Sequence, residues 1–182
     1  AAAETYMGLV EVGVGVIPGG GGTKELIARL KDPRKIFELI GMAKVSSSAD
    51  DAKKLGLLSK NAGVSMNSDR LIADAKALAL SMVPVYERGS ERKDIKVGGV
   101  GTYAAMEVGL FMMKEGGYIS DYDVVVGKKL ANIIAGGKLS GEAEVSETYL
   151  LDLEREAFLS LCGNAKTQER MQSMLKTGKP FR

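Results

Sequence analysis

Glu11 heads the run Val12-Gly13-Val14-Gly15-Val16-Ile17, which continues into Pro18-Gly19-Gly20-Gly21-Gly22-Thr23. It is a carboxylate in a neighbourhood stripped of side-chain bulk. Glycine permits positive φ and lets a backbone approach a ligand closely and present its own N–H groups. A carboxylate beside such a backbone can exchange a proton with whatever binds there. The rest of the chain narrows the chemistry further. There is no histidine among 182 residues, so no Ser-His-Asp or Cys-His arrangement is available and no imidazole can bind metal or shuttle protons. Acid–base work must fall to Asp or Glu. The single cysteine, Cys162, lies between Leu161 and Gly163 in an apolar helical pattern and reads as packing rather than as a nucleophile. It also excludes an internal disulfide, which points to a reducing, cytoplasmic setting. Two plainer roles stay open: Glu11 as a solvated or hydrogen-bonded residue at a strand end, and Gly19 to Gly22 as a tight turn that packs the next helix.

Nucleotide-binding readings of the glycine run fail on spacing. A P-loop needs Lys directly after its last glycine, whereas Gly22 is followed by Thr23 and only then by Lys24. A dinucleotide fingerprint starting at Gly13 needs a glycine where Pro18 stands, and one starting at Gly19 needs a glycine at Lys24. What survives is a Gly-rich turn feeding a helix N-terminus at Thr23 to Leu26. Free N–H groups and the helix dipole there would favour negative charge or a polarised water.

The elements that must position these residues follow from periodicity and caps. Thr5 to Val10 is β-like, and the alternation Val10, Val12, Val14, Val16 could extend it, although the glycines argue for an earlier break. From Thr23 the pattern is helical, with Leu26, Ile27 and Leu30 on one side. Asp32-Pro33 is an N-cap and first-turn pair for a second helix carrying Ile36, Phe37 and Ile40. Ser48 opens a short helix that stops at Gly56, and Ser68 opens another whose Leu71, Ile72, Ala75, Leu78, Ala79 and Met82 share a face before Pro84. Between Tyr86 and Gly101 the periodicity fails, and the charged run Glu87 to Asp94 reads as an exposed loop. Four helices follow: one aligning Tyr103, Met106, Leu110 and Met113, one opened by Ser120 and Asp123 as a capping box, one capped by Ser146, and one opened by Asn164. The third carries Leu150, Leu153, Ala157, Phe158 and Leu161 as a stripe.

A net charge of +2, scattered Lys and Arg, and 5 % aromatic residues exclude a nucleic-acid surface. No apolar run approaches the roughly 20 residues that span a bilayer. The opening Ala1-Ala2-Ala3-Glu4 has neither the basic nor the apolar part of a signal peptide. A chain that starts just before a strand-like segment, without an initiator Met, is expected to be part of a longer polypeptide.

The ungapped stretch from Tyr6 to Leu26 resembles the segment of the enoyl-CoA hydratase/isomerase (crotonase) family that reads roughly G-x-P-E-x-x-x-G-x-x-P-G-x-G-G-T-Q-x-L. It departs from that pattern at Val10 and Lys24, neither of which touches the glutamate. Downstream, Phe37 to Gly41, Ser48 to Ala52 and Leu55 to Leu58 follow the family's order. Gly117 to Asp123, Lys129-Leu130-Ala131 and Gly136-Gly137 resemble the hydratase module at the C-terminal end of bacterial 3-hydroxyacyl-CoA dehydrogenases. The tail Lys176-Thr177-Gly178-Lys179-Pro180-Phe181 is similar to the family's closing basic helix.

The resemblance implies a fragment that is mainly α with a short β remnant, taken from an α/β parent module with a ββα spiral and a helical C-terminal subdomain. Residues 1–83 would be the end of the β/α core with its following helices, 84–101 an exposed loop, and 102–182 the helical oligomerisation subdomain. Glu11 would be the second catalytic carboxylate, moving a proton to substrate carbon or from water during syn addition across a conjugated double bond. The Gly19 N–H would help hold the water, and Lys176 and Lys179 would meet the CoA phosphates. The family's two oxyanion donors and its first glutamate belong to a portion that precedes this sequence. The implied partners are an acyl-CoA thioester and further copies in a trimer-type packing. No cofactor is expected in this chain, and NAD would serve the longer protein's dehydrogenase part. The isolated chain is expected to be inactive. An enoyl-CoA isomerase using Glu11 alone, and a non-catalytic acyl-CoA-binding or oligomerisation module, remain alternatives.

Overall fold

A computed structural model describes residues 1–179, so the last two residues of the basic tail motif, Pro180 and Phe181, lie outside it. The chain divides into two compact units, Ala1–Gly8 with Val45–Glu91, and Leu9–Lys44 with Arg92 onward. The fold is mainly helical with a short β component, as the resemblance implies.

The larger unit contains α1 (Gly22–Leu30), α2 (Pro33–Gly41), α5 (Gly99–Glu115), α6 (Asp121–Ile134), α7 (Glu147–Cys162) and α8 (Ala165–Thr177). It also contains the two strands β1 (Ile95–Val97) and β2 (Ala143–Val145). Helix α6 is central and packs against α1, α2, α5 and α7. Its Val126, Leu130, Ile133 and Ile134 are fully buried, because apolar residues at this spacing share one wide face. Gly127 allows the close approach of α5, since a Cβ there would meet Leu110 at 2.5 Å. Tyr103, Met106, Leu110 and Met113 do line the inner side of α5, with Met106 and Leu110 buried.

The caps read from the sequence form as hydrogen bonds. Asp32 accepts from the amides of Arg34 and Lys35 with Pro33 in the first turn. Ser120 and Asp123 make a reciprocal capping box, Ser146 accepts from Tyr149 N–H, and Asn164 from Lys166 N–H. Each satisfies an amide that the first helical turn leaves without a partner.

Two expectations change. The region 84–101 is exposed from Pro84 to Glu91, but Ile95–Val97 is a strand with Ile95 and Val97 buried, paired antiparallel with Ala143–Val145. A three-residue run inside a charged stretch leaves no period to read, and its partner lies far along the chain. Thr5 to Val10 does not form a strand. Gly8 makes an isolated bridge to Val45, and Glu11–Val14 is a turn of 3₁₀ helix closed by Gly15 at φ +83°. The left-handed glycine breaks the β alternation of the valines.

An ion network closes the open end of the β1/β2 pair. The Arg92 guanidinium bonds Glu147 at 2.5 Å and Glu25 at 2.5 Å, the Arg92 amide donates to Glu147 at 3.0 Å, and Lys24 Nζ reaches Glu147 at 3.0 Å. These donors, the Arg92 side chain first, pull the Glu147 carboxyl down from 4.5 to about 2. A carboxylate held lower in the folded state contributes stability that is fully present above the unfolded value and is lost as pH falls through the folded one. The melting temperature is therefore expected to drop between about pH 4.5 and about pH 2. Glu147→Gln should flatten the part of that drop due to this residue. An identical acid profile in the variant would remove Glu147 from the account.

The smaller unit contains α3 (Ala49–Leu55) and α4 (Leu71–Met82). Ser48 caps α3 through the Asp51 amide, and Gly56 ends it at φ +86°. Ser46 is buried and stitches the chain, accepting from Met7 N–H and donating its hydroxyl to Thr5 C=O. At the next helix the start differs slightly from the sequence reading. Asn67, not Ser68, accepts the capping bond, and Ser68–Arg70 is a 3₁₀ turn before α4. Helix α4 itself has no buried residue, and Ile72 is 83 % exposed. Its apolar side chains are present, but no element of its own unit lies over them.

Candidate active site

Glu11 occupies the first position of the 3₁₀ turn Glu11–Val14. Its backbone C=O accepts from Val16 N–H at 3.3 Å, and the Gly13 and Gly15 amides close onto Val10 and Val12. The turn is thus fixed through the main chain, which leaves the side chain unused. Its Oε2 is buried with no hydrogen-bond partner, and no ion pair to Glu11 is found among the described residues. An orphaned buried carboxylate oxygen costs on the order of 1–3 kcal/mol. Such atoms are rare in folded proteins, and a catalytic role is one of the reasons they are kept.

After the turn the chain dives through buried Val16, Ile17 and Pro18 and re-emerges at Gly19 and Gly20, which are exposed. Gly21, at φ +93°, then leads into α1. Gly19 is confined from one side, because a Cβ there would lie 2.8 Å from the ring of Phe158. Thr23, the first buried residue of α1, has a hydroxyl with no partner. The two buried side-chain oxygens without partners among the described residues therefore bracket the segment from Glu11 to Thr23.

The N-terminus of α1 is not free. No side chain at Gly21 caps it. Instead Glu154 of α7, only 1 % exposed, accepts from Gly21 N–H at 3.0 Å and from Lys24 N–H at 3.3 Å. Burial raises its carboxyl above the ordinary range, opposed by the amides of Lys24, Gly21 and Thr23. The expectation of open N–H groups waiting for an anion or water at Thr23 to Leu26 is corrected on this point. An internal carboxylate fills that role, where partial positive charge stabilises it.

A second set of residues supports the Glu11 turn. Thr167 of α8 donates its hydroxyl to Gly15 C=O at 2.7 Å and lies 2.6 Å from the Tyr122 hydroxyl. Arg170, 6 % exposed, lies 5.1 Å from the Tyr122 ring centroid and pairs with Asp123 at 2.7 Å. Its charge holds the Asp123 carboxyl below the ordinary range against the effect of burial. Tyr122 and Asp123, legible in the sequence as a helix start, also brace the backbone beside Glu11.

Sequence reasoning missed Glu154, Thr167 and Arg170. For Glu154 a signal existed, since Leu150, Glu154, Ala157 and Leu161 form the buried stripe of α7, and a charge in such a stripe needs a partner. Lys176 and Lys179 are exposed at the end of α8, Lys176 in its last turn and Lys179 just beyond the Gly178 cap. Lys176 lies about 13 Å of helix beyond Thr167. Neither lysine bonds Glu11 or Gly19. The described residues contain no His/Cys/Asp/Glu group able to hold a metal ion, and no helix among them is long and apolar enough to cross a membrane.

No family model matches the chain. Over its whole length it is 52 % identical to a Bacillus subtilis protein named "Probable 3-hydroxyacyl-CoA dehydrogenase", covering 24 % of that protein. It is also 28 % identical to a Rickettsia prowazekii protein and 29 % identical to a Rickettsia felis protein, both provisionally named fatty acid oxidation complex trifunctional enzymes. In those two pairs 94 % and 95 % of this chain is covered, and 22 % of each relative. The chain thus spans about a quarter of the length of the curated relatives it matches.

Proposed function

We propose that this chain is the later half of a crotonase-type enoyl-CoA hydratase module, carried by a longer cytoplasmic β-oxidation protein that also contains an NAD-dependent 3-hydroxyacyl-CoA dehydrogenase. The observation that carries the reading is the unpartnered Glu11 Oε2 in a turn that the buried residues Val16 to Pro18 join to the exposed Gly19-Gly20. The similarity to a protein named "Probable 3-hydroxyacyl-CoA dehydrogenase" supports the substrate class, because hydration of a 2-enoyl thioester makes the alcohol that a dehydrogenase of that name oxidises.

In this reading water adds across the conjugated double bond. Its oxygen bonds to the β-carbon and a proton goes to the α-carbon, while negative charge gathers on the thioester oxygen. Glu11 is one of the two carboxylates that move those protons, and the Gly19 N–H holds the water. The oxyanion donors and the other carboxylate come from another portion of the longer protein. Lys176 and Lys179 meet the CoA phosphates as exposed charges, and further copies associate through the C-terminal helices.

The full-length protein is expected to consume crotonyl-CoA and yield 3-hydroxybutyryl-CoA, and the isolated chain to read background. A full-length protein without hydration activity would overturn the reading. If it shifts a 3-enoyl-CoA to the 2-isomer instead, Glu11 serves an isomerase.

A further inference from the structure

Residues Leu151, Glu154 and Phe158 recur every three or four positions along α7, so they project from one face. All three meet the glycine turn. A Cβ on Gly19 would strike the Phe158 ring, one on Gly21 would lie 3.2 Å from Leu151 Cδ2, and Glu154 takes the Gly21 and Lys24 amides on its two oxygens. Glu154 is not a group that substrate can reach, since it is 1 % exposed and its partners are backbone amides. Nor is its burial explained by pairing with a cation, because the Lys24 ammonium turns instead to Glu147 and Glu25. A packed apolar residue at that site would leave the Gly21 and Lys24 amides without an acceptor, so the carboxylate serves the first turn of α1 as well as the glycines before it. What a carboxylate adds is direction: two acceptors that fix the Gly21 and Lys24 amides of one turn.

We propose that Glu154 is a positioning residue that, with Phe158, clamps the Gly19–Gly22 turn from behind and so fixes the direction of the Gly19 N–H. This rests on the hydratase reading above. Gly19 itself has no side chain to anchor it; buried Pro18 holds its amide on one side, and on the other, without the clamp, there is only the flexible run Gly20–Gly22. A main-chain donor that must meet a water to within a few tenths of an ångström needs such external support.

The test uses the full-length protein with crotonyl-CoA, well below its melting temperature. Glu154→Gln keeps the volume and one acceptor but presents an N–H₂ to the second amide. It is expected to lower kcat about tenfold with KM changed less than about threefold, and Glu154→Leu, with no acceptor, to lower kcat about a hundredfold. Phe158→Leu leaves the buried carboxylate in place and relaxes only the wall behind Gly19. It should lower kcat about fivefold at unchanged KM, and it decides the question if the Glu154 variants do not fold. Folded variants that melt earlier but keep kcat would show a purely structural role and overturn the proposal. Glu11→Gln, measured alongside, separates the two failures. If it abolishes hydration while Glu154→Gln and Phe158→Leu do not, the clamp is wrong and the hydratase reading stands; if it leaves hydration intact, Glu11 is not one of the two carboxylates, and the clamp, which rests on a site at this segment, falls with that role.

Discussion

Replacing Glu11 by Gln in the full-length protein is expected to lower hydration of crotonyl-CoA by about 10²–10⁴-fold, the usual worth of a positioned general acid or base, while KM stays within about threefold. The same variant should melt no lower than the unsubstituted protein. The Glu11–Val14 turn is held by main-chain bonds to Val10, Glu11 and Val12, none of which uses the side chain. The buried Oε2 has no partner to lose. Gln keeps the shape while giving up the charge and the ability to take a proton, so a residue kept for packing would show no change in turnover. A residue kept for structure would show the opposite pattern, earlier melting with activity intact below the transition. A large loss of activity at equal or higher stability is the signature of a group retained for chemistry at a cost to the fold. Retained turnover would remove Glu11 from the mechanism.

How far such a site can be read from sequence depends on whether its causes are local. Asp32, Ser48, Ser120 with Asp123, Ser146 and Asn164 all cap where their type and position predict, because a cap is decided within a few residues. The inner faces of α5 and α7 are equally legible, since burial follows helical period. Glu11 and the glycine run stood out for the same reason: their unusual composition is contiguous. What stayed hidden is non-local. Strand β1 pairs Ile95 with Val145, and nothing in its three residues announces a partner so far away. For Glu154 the position in the buried stripe of α7 is a local signal, but its partners Gly21 and Lys24 lie 133 and 130 residues away. Thr167 and Arg170 are polar residues in the least apolar helix of the chain. They are buried only because α8 crosses the turn at Gly15.

These non-local residues share one purpose in the larger unit. The segment 11–22 has too few side chains to hold itself. Its shape is imposed by groups from the C-terminal helices, with Glu154 and Phe158 at one end, and Thr167, Tyr122 and Arg170 at the other. That arrangement leaves glycines where backbone must stay bare and moves the ordering contacts to rigid helices. These contacts tie Leu9–Lys44 into one unit with the chain from Arg92 onward.

The Gly15 turn gives this dependence its sharpest stability test. Gly15→Val is expected to destabilise the larger unit by roughly 3 kcal/mol, from about 1–2 for a side chain forced into left-handed backbone and about 1–3 for crowding a packed site. The backbone there is at φ +83°, and a Cβ would sit 3.0 Å from Thr167 Oγ1, 3.2 Å from Arg170 Cδ and 3.2 Å from Tyr122 Cε1. Those neighbours cannot simply retreat, because Thr167 is bonded to Gly15 C=O and Tyr122, and Arg170 to Asp123. Two residues earlier, Gly13 has no positive φ and nothing within 4 Å of a Cβ. Gly13→Ala should therefore be neutral or slightly stabilising, by up to about 1 kcal/mol through the unfolded chain. Denaturant melts of the pair distinguish a glycine required by its backbone from one that merely accompanies it. Equal stability of the two variants would mean that α6 and α8 do not hold the turn beside Glu11.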